Sequence, residues 1–245
     1  MYSSLGIISS IVLFAPIVII LTLKLFTNRS FLALATYYLV VSVQNLMKQN
    51  VIITPKWLYQ SFGIINNFLD APLILLFLVY FGTSTLMNKR IMWTILIFLG
   101  FEAIILCIYG FSIKTVKIIL GPDIAIISML SLVFFLRNVR LAITHSKSLG
   151  KAFMISSVLF SYTIFSLVYI FYYLMKNDDY KKDAQLVYYL VTILSAILMS
   201  IGVLIENKRI KRLDELKNTR KELATIYGER KVAALNKDGH FLNLN

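Results

Sequence analysis

Seven apolar stretches follow one another along the chain, each long enough to cross a lipid bilayer as a helix and separated by short polar connections. They run from Leu5 to Phe26, Phe31 to Met47, Ser61 to Phe81, Ile91 to Phe111, Val116 to Leu136, Ala152 to Met175 and Gln185 to Ile205. None alternates like a barrel strand, which would end after about 10 residues. The pattern predicts an all-α, polytopic integral membrane protein, a bundle of seven transmembrane helices over residues 1–205. The pattern changes at Glu206. Ile210, Leu213, Leu216, Leu223 and Tyr227 then recur at helical spacing among charges, predicting an amphipathic cytoplasmic helix to about Ala234 within a basic tail, residues 206–245. The heptad persists for too few turns to specify a coiled coil, though the face could dock a cytoplasmic partner. Asn236 to His240 reads as a frayed end.

Composition agrees with the pattern. Hydrophobic residues make up 58% of the 245 and charged residues only 15%, against about 25% charged in a soluble domain. The net charge of +13 would suggest nucleic acid in a soluble protein. Here it is read as lysines and arginines flanking membrane spans and meeting anionic inner-leaflet headgroups, so no nucleic-acid partner is expected. The N-terminus has no basic region before its first apolar run, which is therefore read as a retained helix and not a signal peptide. Cys107 is the single cysteine, so no disulfide forms within the chain.

Placing the N-terminus outside puts Lys24, Arg29, Lys89, Arg90, Arg137, Arg140, Lys147 and Lys151 on the inner side. Lys48, Lys56, Lys114, Lys117, Lys176, Lys181 and Lys182 fall outside, nearly a tie. The cations crowding the start of the tail decide for a cytoplasmic C-terminus, in a plasma or inner membrane.

Ionisable groups inside a span are costly and point to function. Asp70, Glu102 and Asp123 lie at or outside the bilayer centre of spans three, four and five, with no lysine or arginine at comparable depth. An acid so placed holds a proton or binds a cation. Gly63, Asn66, Asn67 and Asp70 share one helical face, and Pro72 deprives the Phe68 carbonyl of its usual donor. Gln44 and Asn45 lie near the outer end of span two. Tyr162, Ser166, Tyr169 and Tyr173 form a stripe on span six, as do Tyr188, Thr192 and Ser195 on span seven. Gly121-Pro122 beside Asp123 is expected to weaken its helix and open backbone to a cavity. These residues predict a polar, tyrosine-rich pocket open to the outside. The plainer account is that serine, asparagine and tyrosine join helices by hydrogen bonds, and that Asp123 sits near the interface and pairs with Lys117 or water.

Several chemistries lack their residues. The two histidines, His145 and His240, lie outside the spans, so a zinc hydrolase or a Ser-His pair has no support. Span seven carries no lysine for a retinal Schiff base. A two-aspartate protease would need Asp70 and Asp123 to meet, and their flanking residues give no further sign of one. The expectation is a non-enzymatic, receptor- or sensor-like protein without cofactor or metal. It binds a small ligand or cation at Asp70, Asn66, Asn67, Glu102, Asp123, Gln44, Asn45, Tyr169, Tyr188 and Thr192. A proton- or cation-coupled transporter or channel and a structural subunit acting through its tail are the alternatives. The apolar run Leu73 to Phe77 argues against a conducting path.

Overall fold

A computed structural model describes residues 2–145, 148–171 and 178–239. Among these, seven α-helices and two 3-10 turns account for nearly everything, and no strand occurs: α1 (Tyr2–Thr22), α2 (Arg29–Lys48), α3 (Lys56–Leu78), α4 (Thr85–Tyr109), α5 (Ile113–His145), α6 (Leu149–Tyr169) and α7 (Asp178–Gly239). All seven are long and apolar enough to cross a membrane. Tyr173, Lys147, Lys176 and His240, and the side chains of Lys181, Lys182 and Tyr227, lie outside the described residues.

Local signals account for most helix ends. Asn28 caps α2 by accepting from the Ser30 amide at 3.0 Å, and Ser84 caps α4 by accepting from the Met87 amide at 3.2 Å. Lys24 adopts a left-handed conformation (φ 56°), so α1 stops at Thr22, short of the expected Phe26. Trp57 and Tyr59 belong to the first turn of α3, behind Pro55. The basic loop expected after Leu136 begins later, because α5 continues to His145 and takes Arg137 and Arg140 into the helix. Proline 16, 72 and 122 each lie inside an unbroken helix. The expected weak point at Gly121-Pro122 is thus corrected: Pro122 faces outward, and the helix carries Asp123 inward.

The chain divides into two compact units, residues 1–205 and 206–245. In the first, α1 packs on α2, α2 on α3, α3 on α4 and α5, α4 on α5, and α5 on α6. On α7, the Ser195 carbonyl accepts from the Ser157 hydroxyl of α6 at 2.7 Å. Helix α4 is peripheral, exposing Trp93, Leu96, Ile97, Ile104 and Ile108. Its single buried stripe, Ile91, Ile95, Phe98 and Glu102, has the four-three-four spacing of one helical face. A belt of rings across the end of the unit that holds the start of α2 joins Phe31 to Phe77 (6.4 Å), Phe77 to Phe81 (5.3 Å) and Phe81 to Phe134 (6.0 Å). In the second unit, Leu213, Leu216 and Leu223 are exposed along a helix rich in lysine and arginine, and Arg209 pairs with Glu206 one turn earlier.

Candidate functional site

Helical spacing aims a set of polar side chains at one place. On α2, Tyr37, Val41, Gln44 and Lys48 form one stripe, with Tyr38 and Asn45 one position further round. On α3, Tyr59, Asn66 and Asp70 recur at seven and four. Ser161, Tyr162 and Tyr169 come from α6, and Gln185, Tyr188, Thr192 and Ser195 from α7. Together they line a cavity of about 290 Å³, to which Leu13 of α1 and Leu120 and Ile124 of α5 add apolar wall. That volume holds roughly ten waters at their liquid share.

The mouth lies where α2 finishes, α3 begins, α6 finishes and α7 begins. Lys48 stands there exposed, its Nζ 5.6 Å from the Tyr188 ring centre and 5.4 Å from that of Tyr189, within the range of cation–π attraction. Gln49 and Gln185 both donate to the Tyr189 hydroxyl, at 2.7 and 2.8 Å. Asn45 is 3% exposed, and its Nδ2 finds no acceptor. A buried donor left unmade is costly, so an acceptor is expected within the cavity.

At the floor, the Tyr162 hydroxyl donates to Asp70 Oδ1 at 2.9 Å. Behind Asp70 comes Asp123, fully buried, its carboxyl within hydrogen-bonding reach of Asp70 and both its oxygens without a donor. Two carboxyls facing each other meet as acceptor against acceptor. Such a contact closes only with a proton or a cation between them. Glu102, 2% exposed, lies within the electrostatic reach of both, and its Oε1 also lacks a donor. Among the described residues no three histidine, cysteine or acidic side chains converge as metal ligands.

Eight of the ten residues singled out in the sequence therefore line one cavity: Gln44, Asn45, Asn66, Asn67, Asp70, Tyr169, Tyr188 and Thr192. Glu102 and Asp123 do not reach it; they extend behind Asp70 towards α4. Asp123 is completely buried and neither of its carboxyl oxygens has a donor, so the expected pairing with Lys117 does not form. Asn67 turns partly to its own helix, donating to the Gly63 carbonyl at 2.7 Å, and Tyr169 donates to the Lys117 carbonyl at 2.8 Å. Lys48, Tyr37, Tyr38, Tyr59, Tyr162 and Gln185 are lining residues that sequence reasoning did not select as site residues. The seven- and four-residue spacing of Tyr37, Gln44 and Lys48 was the available signal. Compared with known protein families, curated proteins and solved structures, the chain matches none.

Proposed function

We propose that this is an integral membrane protein whose seven helices span the bilayer with the N-terminus outside, and that it binds a small polar ligand or cation in the cavity, in the manner of a receptor or sensor. The observation that carries the reading is the convergence of four helices' polar side chains on one chamber, with the unmet Asn45 donor at its mouth and, at its floor, the Asp70 carboxyl, which accepts from the Tyr162 hydroxyl. In that topology the ends of α2 and α6 and the starts of α3 and α7 are outer, so the chamber faces outward. Binding is favoured over conduction because the other end of the bundle is filled by the belt of Phe31, Phe77, Phe81 and Phe134, all fully buried or nearly so. A conducting path needs polar groups there as well. In the second unit, the basic helix with its exposed leucines suits the anionic inner leaflet.

The test is accessibility. In a Cys107→Ser background, Gln44→Cys and Asn66→Cys should react with a membrane-impermeant maleimide applied from the N-terminal side of sealed vesicles and stay unlabelled from the other. Labelling from the C-terminal side alone, or labelling of neither cysteine from either side, would refute an outward-facing chamber.

A further inference from the structure

We propose that the chamber takes a small zwitterion whose two charges stand several bonds apart, its anionic end at Lys48 and Asn45 and its ammonium end at Asp70. The inference rests on the chamber reading above and adds the class of ligand to it.

The chamber's two charged lining side chains, Lys48 and Asp70, stand at its two ends. Its mouth offers donors: the Lys48 ammonium, held over two tyrosine faces, and the unpaired Nδ2 of Asn45 one turn earlier on the same helix. Its floor offers acceptors. Asp70 Oδ1 accepts from Tyr162, which commits the tyrosine's hydrogen and sets its oxygen beside the carboxyl as a further acceptor. Among the described residues Asp70 has no lysine or arginine partner and Lys48 has no carboxylate partner. Tyr188 is the neighbour they share: its ring lies beneath Lys48 and its hydroxyl is within the field of Asp70. Between the two ends the walls carry no further charge, the apolar Val41, Ile124 and Val158 standing among the neutral amides and hydroxyls of Gln44, Asn66 and Ser161.

A ligand carrying a single charge answers one end and leaves the other without an opposite charge. Tyr37, beside Asp70, precedes Lys48 by eleven residues, about 16 Å of helix rise, so an α-amino acid, with its charges on adjacent positions, cannot reach both. An ω-amino acid, or a peptide-like molecule of similar length, can. The cavity volume of about 290 Å³ admits a molecule of that size and excludes anything much larger.

The purified full-length chain in detergent tests this with three matched probes: 6-aminohexanoate, hexanoate and hexylamine. The zwitterion should raise the melting temperature more than either singly charged probe. Its Kd by calorimetry should rise on the order of tenfold in both Lys48→Gln and Asp70→Asn, as expected for loss of one charge-assisted contact, while Lys48→Arg retains binding. Equal stabilisation by hexanoate and 6-aminohexanoate on the unsubstituted chain would overturn the zwitterion class and leave an anion-binding chamber. The same holds for hexylamine and a cation site. No stabilisation by any of the three would also overturn it, and maleimide access then decides separately whether the chamber exists. The comparison of probes needs no variant, so a variant that fails to fold does not block the test.

Discussion

Gly202 of α7 packs closely against α6. A Cβ there would stand 2.7 Å from Met154 Cγ, 2.8 Å from the Met154 amide nitrogen and 3.1 Å from the Gly150 carbonyl oxygen. Two of those neighbours are backbone and cannot swing aside, and close approach of helices through small residues is the usual source of packing energy where no water drives association. Gly202→Ala should cost about 1–3 kcal/mol and lower the melting temperature in detergent. Gly100→Ala, which meets nothing within 4 Å, should be neutral or slightly stabilising; equal effects at the two positions would contradict the close crossing. The same scale explains which site residues could be read early. Asp70, Asn66 and Asn67 are conspicuous because polar groups are rare in an apolar helix. Lys48 was set aside because a lysine at the end of a span ordinarily reaches lipid headgroups. Only the rings of Tyr188 and Tyr189 beside it show that its side chain turns over the chamber mouth.

Helix α3 links the chamber to the opposite end of its unit. Asp70 lies midway along it, and carbonyls of the 3-10 turn that continues it, Val79–Phe81, are met by cations from two neighbours. Arg137 of α5 donates to the Phe81 carbonyl, to Thr83 Oγ1 (3.2 Å) and towards Met87 Sδ (3.4 Å), and its guanidinium lies 5.2 Å from the centre of the Phe134 ring. Lys151 of α6 donates to the Tyr80 carbonyl at 3.2 Å, over that residue's own ring. Cations at this end also suit the helix dipole. Arg137→Ala should destabilise the chain by about 1–3 kcal/mol, through the partly buried carbonyl it strands. Arg137→Lys should recover only part of the loss, because one ammonium cannot replace the fork. Equal melting of Arg137→Ala and the unsubstituted chain would show that the clamp contributes nothing. The charge tally treated Arg137 and Lys151 as loop cations. Helical periodicity could not reveal that α5 outlasts its apolar stretch, because the extra turns are polar and their partners lie some fifty or seventy residues away in sequence.

At the scale of the molecule, residues 1–205 hold the chamber, the aromatic belt and the clamp, and form a compact unit on their own. A chain ending at Ile205 should therefore insert and melt as the full-length protein does, and keep its maleimide pattern at Gln44→Cys. Loss of insertion or a collapsed melting transition would make the basic helix a structural part of the fold. The sequence by itself determined the number, order and approximate limits of the apolar helices, because a run of some twenty apolar residues has one low-energy form wherever backbone groups must be satisfied internally. It also marked most of the polar residues that matter, since each is an exception within its own helix. Tertiary structure alone decided which exceptions meet. Asp70, Glu102 and Asp123 all stood out as acids within apolar stretches, yet one lines the chamber and two lie behind it, because the rotation of each helix about its axis is set by side-chain packing against neighbours and not by anything local to the helix.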